Sequence, residues 1–162
     1  MFMKTKYFFI LSVVLTNSYL LTTCKADDNS MKILLYNNGE QSEIELNDEV
    51  KKQVRNILLE LLSKTDDMLR VYFDEERINE LRHTEKCIEI NFGKIVKVQT
   101  GILGETNVKK ILIPLSGDFS ATETINVATI FVGEDEYSSG PLTASGGFQY
   151  VRLLEDKLFN KK

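Results

Sequence analysis

The chain has 162 residues and a formal net charge of −4, and 43% of its residues are hydrophobic. This length allows one domain with a core large enough to fold without disulfides. No run of lysine or arginine exceeds two residues, so the acidic chain lacks the basic surface that binding to a phosphate backbone requires, and nucleic-acid binding is excluded.

The N-terminal segment has the order of a secretory signal peptide. Lys4 and Lys6 precede an apolar run from Tyr7 to Leu15, and small and polar residues follow. The uninterrupted run is too short for a membrane-spanning helix, which needs about 20 residues, and the whole segment to Leu21, with its polar break, is a weaker candidate. We expect residues 1–23 to be removed, which takes away two lysines and no acidic residue and leaves a net charge of −6.

The stretch "LTTC" at residues 21–24 resembles the lipobox of bacterial lipoproteins. The resemblance implies cleavage before Cys24, which becomes the lipidated first residue and a stable membrane anchor. Thr23 stands where that family prefers a smaller residue. The alternative is ordinary cleavage after Ala26, which leaves a soluble protein that begins at Asp27.

Residues 24–30 are interpreted as a short tether. The acidic pair Asp27 and Asp28 resembles the surface-export signals of lipoproteins in the Bacteroidetes. We therefore expect an extracytoplasmic lipoprotein of the outer membrane or cell surface, with a soluble periplasmic or secreted protein as the second choice.

Regular secondary structure is expected from Met31 onward. Asn38-Gly39 lies between two apolar-rich runs and predicts a hairpin. Residues 47–64 predict a helix with Asn47 as its N-cap. Its apolar positions recur at helical spacing, at Val50, Val54, Ile57, Leu58, Leu61 and Leu62. Residues 68–73 fit a strand better than a helix, and Asp74 should cap a short helix over residues 75–82.

In the rest of the chain, apolar and polar residues alternate with a period of two, and a helix follows at the end. Four strands are predicted as an antiparallel meander, over residues 86–92, 94–100, 108–115 and 125–133. A last helix over residues 148–159 carries an apolar stripe at Phe148, Val151, Leu154 and Leu158. Residues 31–162 are therefore expected to form one α+β domain, a single antiparallel β-sheet with helices packed on one face as a two-layer sandwich.

A catalytic thiol is the first chemical possibility, because Cys87 lies four residues after His83, the one histidine. Glu85 and Glu89 would disfavour the thiolate, and no third group orients the pair. Cys87 is better interpreted as a small structural hydrophobic residue. We predict no catalytic residues and no enzyme.

Metal and cofactor sites are not indicated by any other pattern. With one histidine and at most one usable thiol, a zinc site is nearly excluded. The acidic clusters at 66–67, 74–76 and 134–136 lack the spacing of a calcium loop and are expected to be solvated. The loop "SSGPLTASGG" lacks the lysine of a phosphate-binding loop. No cofactor is predicted.

A binding loop is expected where the last predicted strand ends, because loops on a rigid sheet carry recognition. Tyr137 is its one large amphipathic side chain and is expected to be exposed. The candidate residues are Glu134, Asp135, Glu136, Tyr137, Ser138, Ser139, Gly140 and Leu142.

Three classes of function remain after these exclusions. The leading hypothesis is a lipid-anchored, non-enzymatic module that binds a protein partner in the cell envelope, as an accessory subunit, an inhibitor or an immunity-type protein. The alternative is an envelope carrier of a small apolar or glycan ligand. A thiol hydrolase using Cys87 and His83 comes last.

Overall fold

The computed structural model describes residues 30–137 and 140–160. Its elements in chain order are β1 (Lys32–Asn37), β2 (Glu40–Glu43), α1 (Asp48–Ser63), β3 (Asp67–Met68), α2 (Glu75–Thr84), β4 (Lys86–Thr100), β5 (Gly104–Pro114), β6 (Val127–Gly133), β7 (Leu142–Ser145) and α3 (Phe148–Phe159). Within these ranges, no helix combines the length and the apolar character needed to cross a membrane.

The three predicted helices are confirmed together with two of their caps. The Asn47 side chain accepts a hydrogen bond from the Val50 N–H at the start of α1. Asp74 does the same for the Arg77 N–H at the start of α2. Each cap satisfies one backbone donor that the first turn of a helix leaves free.

All seven strands form one antiparallel sheet in the order β2-β1-β4-β5-β6-β7-β3. The predicted hairpin joins β1 to β2, with φ of 51° at Asn38 and 85° at Gly39. Strands β4 to β7 are consecutive neighbours and form an antiparallel meander. Its strands are not the four predicted, because residues 86–100 form one strand and β7 lies in the stretch "SSGPLTASGG", which was predicted as a loop.

Strand β4 is one 15-residue strand where the sequence predicts two. Gly93 was expected to separate them, and it adopts a φ of 72° inside the strand. The pairing of β4 with β5 shifts register between Asn91 and Val96, and then continues to Thr100. The glycine therefore forms a bulge, which bends the long β4–β5 hairpin without ending it.

The main core lies between one face of the sheet and helices α1 and α3. Ile88, Ile90 and Ile111 point into it, against Leu58 of α1 and Leu154 of α3. The predicted α+β class with one antiparallel sheet is confirmed, and the two long helices share one face.

The expected packing of helices on one face holds for α1 and α3 only, because α2 lies on the opposite face of the sheet and gives it a partial third layer. Its Ile78 and Leu81 pack with Cys87, Leu112 and Phe131, which alternate with the residues of the main core.

Segment 68–73 is mostly irregular, although a strand was predicted there. Pairing with β7 stops after Asp67–Met68, so β3 is a two-residue edge strand. Phe73 then turns inward and is buried beneath α2. Val71, two residues earlier in the same alternation, is 40% accessible, so the alternation does not mark the buried face of a strand.

Candidate functional site

The acidic part of the predicted binding loop is exposed and leaves the sheet in a tight turn. Glu134, Asp135 and Glu136 follow β6 directly and are all accessible to solvent. A Cβ atom placed on Gly133 would lie 2.3 Å from the Glu136 carbonyl oxygen, so the turn requires glycine. Lys109 Nζ donates to Asp135 at 2.7 Å and lowers the pKa of that carboxyl group.

A cleft of about 510 Å³ separates this loop from the preceding hairpin. We call it the β5–β6 cleft. The turn of the preceding hairpin contributes exposed apolar surface to the cleft through Leu103, which is 44% accessible. The cleft is lined by Leu103, Thr106, Asn107, Val132, Gly133, Glu134, Asp135 and Glu136.

Tyr137 is not an exposed contact residue, and that prediction was wrong. Its side chain is only 2% accessible. The ring packs edge-on to Phe131 at a centroid distance of 6.4 Å, and Lys110 Nζ lies 4.4 Å from its centroid. The Tyr137 N–H donates to Glu75 Oε1 at 3.2 Å. Because α2 leaves part of the second sheet face uncovered, burial of the ring there is favourable, and Tyr137 anchors the acidic loop from below.

A network of charged groups surrounds this anchor. Arg82 of α2 donates to Glu89 Oε2 of β4 through Nη2 at 2.5 Å and Nε at 3.2 Å. Glu75 lies 3.4 Å from Lys110 Nζ and 3.7 Å from Arg82 Nη1. The side chains of Arg82 and Glu89 are 13% and 8% accessible, so each needs the other to offset the loss of hydration.

The Tyr137 hydroxyl is the exception in this network. It is buried beside Arg82 and Glu89, but it makes no hydrogen bond of normal geometry with a described residue. Burial, followed by the nearby Glu89 carboxylate, raises the pKa of Tyr137. The hydroxyl therefore stays protonated beside the Arg82–Glu89 pair.

Of the remaining residues of the predicted loop, Gly140 and Leu142 do not share an exposed surface with the acidic turn. Ser138 and Ser139 lie outside the described residues. Gly140 is partly buried, and a Cβ atom there would lie 2.5 Å from the Leu69 carbonyl oxygen. Leu142 is fully buried because it belongs to β7, an inner strand between β6 and β3, so its predicted contact role was wrong.

Cys87 and His83 do not form a nucleophile and base pair. The Cys87 thiol is buried beneath α2, where its Sγ lies 3.9 Å from the Leu81 carbonyl oxygen, and burial raises its pKa to about 12. His83 is exposed, and its Nδ1 lies 2.7 Å from the Asn79 carbonyl oxygen. The interpretation of Cys87 as a structural residue agrees with this burial.

Across residues 30–137 and 140–160, no group of three or more histidine, cysteine, aspartate or glutamate side chains could hold a metal ion.

A second cleft, of about 770 Å³, opens where the start of α1 meets the end of α3. Sequence reasoning missed it because its two walls are about 100 residues apart in the chain, and no local pattern relates them. Its lining mixes amide, charged and aliphatic side chains: Glu45, Leu46, Asn47, Val50, Gln53, Asp156, Lys157 and Asn160.

The predicted lipidation site, Cys24, lies outside the described residues. No protein-family model, curated protein or solved structure matches this chain.

Proposed function

We propose that this protein is a small, lipid-anchored, non-enzymatic binding module of the cell envelope that recognises a protein partner at the β5–β6 cleft. One observation carries the proposal. The exposed aliphatic side chain of Leu103 and the carboxylates of Glu134 and Glu136 line the same cleft.

The chemistry of the cleft favours a partner with an apolar side chain next to a basic one. Asp135 is already paired with Lys109, whereas Glu134 and Glu136 make no ion pair with a described residue. A lysine or arginine of a partner would form an ion pair with either carboxylate. The exposed Leu103 side chain would be buried against an apolar side chain of the partner.

The loop is also held in position before any partner arrives. Tyr137 is fixed by its contact with Lys110 and by its N–H bond to Glu75. Because an anchored loop loses little conformational freedom on binding, more of the contact energy remains as affinity.

The anchor at Cys24 would place this cleft near a membrane. The lipobox-like stretch supports lipidation, and residues 24–30 form the connection to the described domain. A connection of that length extends at most about 25 Å. A partner would therefore lie within the envelope or at its surface.

Charge reversal tests the cleft. The double variant Glu134→Lys/Glu136→Lys changes the cleft, and Glu40→Lys/Glu43→Lys makes the same change on exposed residues of β2, at the far edge of the sheet. Each variant is used to capture proteins from detergent-solubilised envelopes. The cleft variant should lose a protein that wild type and the β2 variant both retain. Equal capture by all three would refute the cleft as the binding site.

The anchor is tested separately with Cys24→Ala. Wild type should incorporate a radiolabelled fatty acid and sediment with membranes, and the variant should do neither. An unlabelled wild type whose N terminus is Asp27 would exclude lipidation.

A carrier function is the second candidate, favoured by the 770 Å³ cleft between α1 and α3. Its amide and charged side chains suit a polar ligand such as a glycan. A panel of soluble oligosaccharides should then raise the Tm of wild type, and Gln53→Ala should reduce the shift. An unchanged Tm across the panel would remove glycan carriage from consideration.

A further inference from the structure

Strand β5 has a bare outer edge next to the β5–β6 cleft. On its inner side β5 pairs with β4 at both ends of the hairpin, from Cys87↔Pro114 to Thr100↔Gly104. On its outer side β6 pairs only with Lys110, Ile111 and Leu112, because β6 ends at Gly133. Among the described residues, no backbone group pairs with the outer edge over residues 104–109.

A bare edge of this kind presents hydrogen-bonding groups in a regular row. Every second residue of a strand directs both its N–H and its C=O toward the same side. These groups are a ready template for another strand. The six residues from 104 to 109 span about 20 Å, enough for a short extended peptide.

The edge is fixed in place by the tip of the hairpin. The Gly101 N–H donates to the Leu62 carbonyl oxygen and to Thr65 Oγ1, both at 3.0 Å, at the C-terminal end of α1. Val98 and Val108 are buried against the main core beneath the same hairpin. The bare edge is therefore held in place by the packing of the hairpin against the core, so little ordering is needed on binding.

We infer that an extended segment of the partner adds as a strand to this edge, in line with the end of β6. The inference rests on the proposed function and specifies its mode of recognition. The added strand lies in the cleft, with its backbone on residues 104–109 and a basic side chain against Glu134 or Glu136.

Charge selects a foreign segment over a second copy of this chain. Glu134, Asp135 and Glu136 stand beside the bare edge, and two such edges paired antiparallel would bring Glu105 of one copy next to this acidic turn of the other. Like charges at such an interface oppose association, whereas a lysine or arginine is attracted.

A peptide selection tests the inference without knowledge of the natural partner. A random decapeptide display library is selected on the detergent-solubilised full chain and counter-selected on Glu134→Lys/Glu136→Lys. The enriched peptides should alternate apolar and polar residues and include a lysine or arginine. Hydrogen exchange of the complex should show new protection within residues 104–109.

The selected peptide is then N-methylated at one amide at a time, and the affinity of each methylated peptide shows which of its amides donate to the chain. Each methyl group removes one donor and leaves the chain's acceptor unpaired, so affinity should fall about tenfold at every second amide. Methylation at the amides between them should change affinity by less than about threefold, because those donors point to solvent.

Several results would overturn strand addition. Sensitivity at every third or fourth amide would indicate a bound helix, and protection outside 104–109 would indicate a different site. A concentration-dependent dimer protected at 104–109 would mean that the edge pairs with a second copy. If no peptide is enriched while capture of an envelope protein still depends on Glu134 and Glu136, strand addition is wrong and the proposed function stands.

Discussion

Replacing Tyr137 by phenylalanine should stabilise the protein. The substitution keeps the ring, with its edge-on contact to Phe131 and the Lys110 ammonium 4.4 Å from its centroid. It removes a hydroxyl that is buried without a hydrogen-bond partner among the described residues. A buried hydroxyl without a partner costs about 1–3 kcal/mol, so Tyr137→Phe should raise the free energy of unfolding by about 1 kcal/mol.

Urea unfolding followed by far-ultraviolet circular dichroism measures this change. The midpoint should rise with an unchanged m value, and Tm should rise by about 2–6 °C. Tyr137→Ala is the matched control, since it also removes the ring and should cost about 3–5 kcal/mol. A loss of more than about 1 kcal/mol in Tyr137→Phe would refute the reasoning, because it would show that the hydroxyl makes a stabilising hydrogen bond.

Three further predictions concern the core, the thiol and the hairpin tip. Leu58→Ala should cost about 2–5 kcal/mol in urea unfolding and Lys52→Ala little, because only Leu58 is buried; equal losses would mean that the inward face of α1 is misassigned. The Cys87 thiol should resist a thiol reagent at pH 8 until the protein unfolds. The pKa of Cys87 is about 12 in the folded protein and lower in the unfolded chain, so the free energy of unfolding should fall as pH rises from about 9 toward 12. This fall should be less steep in Cys87→Ala. Equal dependence on pH in wild type and variant would contradict the raised pKa. Gly101→Ala should release the hairpin tip, seen as faster hydrogen exchange at residues 98–104, since its Cβ would lie 2.1 Å from the Thr65 carbonyl oxygen; unchanged exchange would show that the contact relaxes freely.

Local sequence patterns were sufficient for the helices, the hairpin and the sheet class. Asn47 and Asp74 accept hydrogen bonds from residues three positions later in the chain, and Asn38-Gly39 forms its turn by its own backbone preference. Such interactions depend on neighbours in the chain, so the sequence alone predicts them. The exposure of Glu134, Asp135 and Glu136 was predictable for the same reason, because charged loop residues remain hydrated.

The position of Tyr137 depended on tertiary structure. In the polar stretch "GEDEYSSG" nothing local indicates burial. The ring is buried because α2 leaves part of the second sheet face open, beside Lys110 and Phe131 from two different strands.

The conformation at Gly93 also depended on tertiary structure. The sequence around it predicts the end of one strand and the start of another, but pairing with β5 continues on both sides, so a bulge forms there.

The β5–β6 cleft is likewise a product of strand lengths that no local pattern reveals. Leu103 and Glu134 are 31 residues apart in the chain, and they meet because β5 extends six residues beyond the point where β6 stops. Alternation in each run predicts that a strand exists, since the period reflects which face is buried. How far two strands remain paired is decided by where each leaves the sheet. Here β6 ends at the tight turn that begins at Gly133, a position with no room for a Cβ atom, and the edge of β5 beyond that point has no neighbouring strand.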